Sequence, residues 1–369
     1  MRTQIAIFVA IVQSILLFGH FAIYETWIEL WGAPEPRTAF WLRIVLGILS
    51  VSFVAASLIS FRYSNTAVRV FYRVAAGWLG FMGFFFFASG LCWIAYGVAW
   101  IVGWRGEGRA IVVALFSAAI LTGVYGIVNA ARTRVKRVPV KLGNLPETWR
   151  GRTAVLVSDT HLGQVRSFGF SRKIVAMVAR LRPDVVFISG DLYDGVEVDL
   201  VGLAKPWSEL SVPLGVFFVA GNHEEFSNRA KYLDAVASAG VRVLNNEKAI
   251  VDGMQIVGVP YHATVNSEAF SSALRKADID RNRASILLSH APHRLEIPES
   301  AGISLQLSGH THHGQMIPFT WIVDRIFGPF AYGLHRFGNM MVYTSSGAGT
   351  WGPPMRVGAD PEIVLLHFE

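Results

Sequence analysis

The chain has 369 residues, of which 52% are hydrophobic and only 16% charged, and its mean hydropathy is +0.41. Soluble globular domains carry about 25% charged residues, so this composition argues against a chain built only of soluble core and surface. The charge is also divided: residues 1–150 hold 14 Lys/Arg against 5 Asp/Glu, a balance of +9, whereas residues 151–369 hold 19 against 21, a balance of −2, so the basic excess is no nucleic-acid footprint on the second half and no nucleic-acid partner is expected.

Four stretches without a charge open the chain: Ile5–Tyr24, Ile44–Phe61, Val74–Trp104 and Ala110–Ala131. About 20 helical residues cross a hydrocarbon core, and tilt absorbs the shorter second run and the longer third. Residues 1–131 hold too little else to cover four such helices in a soluble domain, so a four-span transmembrane domain is expected there. A cleaved signal peptide is not expected, because only Arg2 precedes the first run and no evident small-residue cleavage site follows it. The single cysteine, Cys92, lies inside the third run, which excludes an intramolecular disulfide and a cysteine-based metal site.

Orientation follows from the short connections. Arg37 and Arg43 lie in the first, Arg62, Arg69 and Arg73 in the second, and Arg105 and Arg109 in the third. Arg132, Arg134, Lys136, Arg137 and Lys141 follow the fourth run. The second connection and the tail outweigh the other two, which predicts cytoplasmic termini and a multi-pass protein of the cell (inner) membrane with its second half in the cytoplasm. Residues 132–150 read as a basic juxtamembrane linker able to lie on anionic head groups, with membrane lipids as partners.

From residue 151 onward the texture changes. Short apolar runs recur at Ala154–Val157, Val185–Ile188, Val216–Val219, Ile256–Val259, Ile286–Leu288, Leu305–Leu307, Met341–Thr344 and Ile363–Leu366. Helical patterns such as Arg172–Leu181 and Arg229–Ala239 lie between several of them. Alternation of this kind predicts an α/β domain with much parallel sheet over 151–369.

The polar residues follow the strands. Five runs lead into Ser158-Asp159-Thr160-His161, Gly190-Asp191-Leu192-Tyr193-Asp194, Gly221-Asn222-His223-Glu224, Ser289-His290, and Ser308-Gly309-His310-Thr311-His312. Sites in α/β sheets form at the carboxyl ends of strands, so these side chains should share one crevice. Mixed oxygen and imidazole donors suit Mn, Fe or Zn. The donors are too many for one ion and about right for two, and a metal pair can clamp the attacking and leaving oxygens of a phosphoryl group. Gly190, Gly221 and Gly309 each precede a candidate ligand, where a missing Cβ permits close approach.

D-x-H at 159–161, G-D-x-x-D at 190–194, G-N-H-E at 221–224, His290 and G-H-x-H at 309–312 occur in this order, and together they resemble the calcineurin-like metallophosphoesterases, in particular a membrane-associated bacterial branch. The stretch from Gly347-Ala348-Gly349-Thr350 to Pro361-Glu362-Ile363 resembles that branch too, whereas His313 stands where it usually has glycine. The resemblance implies an α/β/β/α sandwich after the four-helix transmembrane region, and two divalent metal ions. It implies that Asp159, His161 and His312 bind one metal, that Asn222, His290 and His310 bind the other, and that Asp191 bridges them. His223 is implied as the catalytic residue beside the phosphate. Asp194 and Glu224 read as residues that shape their surroundings. His20, His262, His293, His335 and His367 have no motif support, and Arg294 reads as a solvated cation.

The expected activity is hydrolysis of a phosphodiester or pyrophosphate by a metal-bridging hydroxide, in a lipid-linked phosphate substrate because four spans hold the site near the bilayer. A non-enzymatic membrane receptor or scaffold that retains the metal site is the alternative, but it should have lost a ligand and none is lost. The aromatic stretch Met316–Phe337 is either core or an apolar lip toward lipid.

Overall fold

A computed structural model describes residues 2–104, 106, 108–226 and 228–369; the charge expected at Arg105 lies outside the described residues. The chain divides into two compact units, Met1–Val128 with Gly352–Met355, and Asn129–Trp351 with Arg356–Glu369.

The first unit is helical. Its helices are α1 (Arg2–Trp31), α2 (Pro36–Ser60), α3 (Thr66–Ile101) and α4 (Arg109–Ala130). All four are long and apolar enough to cross a membrane, and only 17–22% of each apolar window is buried in the fold. A soluble bundle would hide that face; a lipid-facing one leaves it outward. Helix α1 runs through Glu25 and Glu29, beyond the charge-free stretch, because nothing in that sequence breaks a helix before Gly32 (φ 108°), whose amide still reaches the Ile28 carbonyl. Several polar side chains inside the spans are satisfied locally or by a neighbouring helix, as lipid favours. Thr26 Oγ1 donates to the Ala22 carbonyl at 2.8 Å and accepts from Trp93 Nε1 at 3.0 Å. His20, which had no motif support, accepts from Trp78 Nε1 at 2.8 Å through Nε2, and its Nδ1 donates to the Leu16 carbonyl at 2.7 Å.

The second unit has two six-stranded sheets. Its strands are β1 (Arg134–Val140), β2 (Thr153–Val157), β3 (Val185–Ile188), β4 (Val216–Phe218), β5 (Arg242–Val243), β6 (Glu247–Val251), β7 (Met254–Gly258), β8 (Ser285–Leu288), β9 (Leu305–Ser308), β10 (Gly333–Phe337), β11 (Met340–Thr344) and β12 (Glu362–Phe368). The first sheet has order β1-β12-β2-β3-β4-β5 and the second β10-β11-β9-β8-β7-β6. The helices are α5 (Phe168–Leu181), α6 (Leu200–Ala204), α7 (Arg229–Ser238), α8 (Tyr261–Thr264), α9 (Ser267–Ala277), α10 (Glu296–Ala301) and α11 (Phe319–Phe327).

Strand periodicity sorts the side chains into three apolar layers. Ala154 and Leu156 of β2 meet Ile256, Ile286, Leu305 and Leu307 of the second sheet, which makes the central core. Val155 and Val157 point the other way, onto Ile174 and Val178 of α5 and Val236 of α7. On the far side, Val257 and Leu287 pack against Phe270 and Leu274 of α9. The result is an α/β/β/α sandwich, as expected. The eight expected apolar runs all coincide with strands.

Residues 132–150, read from charge as a linker, contain β1. It pairs in parallel with β12 from Arg134↔Glu362 to Val140↔Phe368. Val138 and Val140 are buried while Arg134 and Arg137 are exposed, so the basic residues masked an edge strand. The same segment ends on Trp149, fully buried, which packs edge-on against Phe368 at 5.2 Å and donates to the Val251 carbonyl.

Candidate metal centre

The parallel strands β2, β3, β4, β8 and β9 all run their carboxyl ends to one edge of the sandwich. The turns after β2, β3, β4 and β9 each hold a non-glycine residue in the left-handed region or a glycine pressed against a neighbour. Asp159 (φ 52°), His161 (φ 47°), Asp191 (φ 51°), His310 (φ 71°) and His312 (φ 49°) all have positive φ. Such backbone is costly, and its concentration in candidate ligands marks a functional site. A Cβ on Gly221 would collide with the Asp191 carboxylate, and one on Gly309 with that of Asp159. Those two glycines are therefore required by close approach.

Asp159, His161 and His312 form one donor cluster. His161 Nε2 and His312 Nε2 are 3.0 Å apart, and Asp159 Oδ1 lies 3.3 Å from His312 Nε2. The His310 amide donates to the other Asp159 oxygen at 3.1 Å, which fixes that carboxylate. Asp191 stands between this cluster and the next. Its Oδ2 is 3.7 Å from His161 Nε2 and 3.2 Å from His290 Nε2, while its Oδ1 accepts the His223 amide at 3.0 Å. Asn222 Oδ1 and His310 Nδ1 are 3.0 Å apart, and the His310 ring lies 5.1 Å from that of His290. The structure thus gathers Asp159, His161, Asp191, Asn222, His290, His310 and His312 in one place.

Burial sets the charge states. Desolvation and the neighbouring His161 hold His312 well below the usual imidazole range, and burial pushes His310 down to about 3, so both rings are neutral donors. Burial opposes a charge on His290 too, but Asp191 overcomes it and lifts the ring to about 10. The buried carboxylates demand a positive charge. A further observation fits a bound cation: His290 Nε2 is a buried ring nitrogen without a hydrogen-bond partner. His290 Nε2 is near Asp191 but out of line for a hydrogen bond. Oxygen and imidazole donors of this kind fit divalent metals.

The surrounding residues orient the donors. Asp194 lies behind His161, its Oδ1 3.3 Å from Nδ1, and its carbonyl accepts from His223 Nδ1 at 3.0 Å. Glu224 accepts from the amides of Asp191, Tyr193 and Gly221 at 2.8–3.0 Å, which joins two motif loops. Burial and the Asp191 charge push Glu224 up to about 7 against those donors. His313 reaches Asp324 of α11 at 3.3 Å and stacks on Tyr332. His262 pairs with Glu225 at 2.7 Å, His335 with the Tyr332 carbonyl, and Arg294 donates to the Val265 carbonyl, while His367 is exposed. His293 had no motif support, yet its ring stands 5.7 Å from His310.

Arg356 is the residue that sequence reasoning passed over. It is fully buried and donates to the carbonyls of His312 at 2.9 Å and Gly349 at 2.7 Å. Its Nη2 also lies 3.3 Å from His312 Nδ1. The signal was available as a lone arginine inside the apolar Trp351–Ala359 stretch. Trp351 and Phe226 flank the ring of His223 at 5.9 and 4.5 Å, and Tyr261 lies 5.4 Å from His310. They too lacked any motif.

The sandwich and its edge of oxygen and imidazole donors define a metallophosphoesterase, and the chain belongs to the calcineurin-like metallophosphoesterase family. The family model for calcineurin-like phosphoesterases matches residues 153–314. A zebrafish (Danio rerio) "transmembrane protein with metallophosphoesterase domain" is 35% identical over 71% of this chain and 63% of its own length. A Campylobacter jejuni metallophosphoesterase is 34% identical over 65% of each chain, and one of Aquifex aeolicus 30% identical over 68% of this chain and 97% of its own. The chain therefore spans under two thirds of the first of these relatives. The resemblance to a bacterial branch widens to animals.

Proposed function

We propose that the chain is a membrane-embedded phosphoric ester hydrolase that cleaves a phosphodiester or pyrophosphate in a lipid-linked substrate on the cytoplasmic side of the cell membrane. The observation that carries this reading is the Asp191 carboxylate, set between two donor clusters at one sheet edge. Asp159, His161 and His312 would hold one divalent ion, and Asn222, His290 and His310 the other, with Asp191 shared. Bound there, such ions supply Lewis acidity toward the phosphoryl oxygens and lower the pKa of water toward about 7.

The protein's own groups do the rest. Asp194 supports His161 from behind, which fixes the direction of Nε2. His223 Nδ1 faces the Asp194 carbonyl, which can only accept, so the proton resides on Nδ1 and Nε2 is left toward the site. From there Nε2 can hold a proton and pass it to the leaving oxygen. Phe226 and Trp351 keep that ring from turning and limit water beside it. Four spans in the same chain hold the site at the bilayer and so favour amphiphilic substrates.

The experiment is to incubate metal-loaded, full-length protein with a membrane lipid extract and follow consumed species by mass spectrometry. Loss of a phospholipid or lipid-linked pyrophosphate, absent in the Asp191→Asn variant, is expected. Consumption of soluble nucleotides alone would contradict the lipid assignment.

A further inference from the structure

Helix α11 (Phe319–Phe327) leaves an apolar face exposed among the described residues. Phe319, Trp321, Ile322 and Ile326 are 49, 66, 50 and 67% exposed, and Arg325 is exposed among them. Thr320 on the opposite side is buried, so the helix is seated on the unit by that side. Exposed apolar residues are normal singly, but four on nine residues form a patch that calls for an apolar phase.

The C-terminal half of α11 adjoins the metal centre. Asp324 pairs with His313, the residue after His312. Phe327 stacks on His293 at 5.7 Å, and His293 in turn lies 5.7 Å from His310. The helix that carries the patch thus borders the site.

We propose that this face of α11 docks on the lipid bilayer and sets the mouth of the metal centre at head-group level. The bilayer is chosen over other apolar occupants for two reasons. The chain leaves its last span at Ala130 and enters β1 at Arg134. At about 3.3–3.6 Å per extended residue, that connection is only about 15 Å long, so the catalytic unit is leashed to the membrane at all times. The chemistry also agrees: tryptophan, phenylalanine and isoleucine beside an arginine are what an interfacial helix presents to lipid and anionic head groups. The inference goes beyond the hydrolytic reading and does not depend on the substrate.

The test uses full-length protein in vesicles of phosphatidylcholine and phosphatidylglycerol. Trp321→Cys and Ile326→Cys each carry an environment-sensitive fluorophore, and Asp234→Cys on α7, exposed, is the reference. Cys92 is buried, so the wild-type chain serves as labelling blank. Labels at 321 and 326 should be quenched by a nitroxide on the upper acyl chain and shielded from aqueous iodide, with the reverse at 234. Two positions are used so that a local disturbance at one leaves the other informative. Iodide quenching at 321 and 326 equal to that at 234 would overturn the proposal. Shielding from both quenchers would overturn it as well, and would assign the face to a second protein surface.

Discussion

Asp191 concentrates the site's electrostatics in one side chain. A carboxylate placed between two donor clusters can bridge two cations and share its negative charge between them, whereas a neutral amide carries no charge to share. Asp191→Asn should abolish hydrolysis and weaken both metals, which metal analysis after gel filtration would show; two retained metals would remove the bridging role. His223 differs in kind, because its Nε2 faces the site while its Nδ1 is held by a carbonyl. His223→Ala should keep two metals and lose about 10²–10⁴-fold in turnover, more with an alkyl leaving group than with an activated aryl one. Loss of a metal instead would make His223 a ligand. Arg356 acts through His312, as a positioning residue. Arg356→Lys cannot reproduce its fork of bonds to two carbonyls, and about 10–100-fold weaker metal binding is expected from such outer-shell losses, read by metal titration. These residues were legible to different degrees. The candidate ligands announced themselves because each follows an apolar strand. Trp351 and Tyr261 did not, and Arg356 showed only as a lone arginine in an apolar stretch, because the local sequence does not say that these distant residues fold against His223, His310 and His312.

At the scale of elements, the strands buried on both faces were the easiest to read. β2, β3 and β8 are uninterrupted apolar runs, because sheet lies on one side and helix on the other. Edge elements were harder. β1 reads as a basic tail because Arg134, Lys136 and Arg137 interrupt its apolar residues, and β5 has only two residues. α1 overran its charge-free stretch for the opposite reason: glutamates do not break helices, and Gly32 does. Trp149 tests whether the 132–150 stretch belongs to the catalytic fold. Trp149→Ala should cost about 3–5 kcal/mol, the usual loss for a large buried ring, seen as a lower melting temperature of the catalytic unit. An unchanged melt would return that stretch to the status of a tether.

For the whole molecule, four apolar helices and a sandwich of nearly balanced charge divide the labour between membrane and chemistry. On the proposed cytoplasmic orientation, which the arginine and lysine distribution favours, a reporter fused after Glu369 should be active in the cytoplasm; activity on the outer side would reverse the topology. The central claim is that the Asp191-centred donor set is a working metal centre that cleaves phosphoric esters. Its most direct test is hydrolysis of an aryl phosphodiester by purified full-length protein, before chelation, after chelation and after reloading with manganese, with metal content measured on the same samples. Activity that disappears on chelation and returns as two metals per chain are regained is the predicted result. Activity that survives complete metal removal, or its absence in protein holding two metals, would contradict the account.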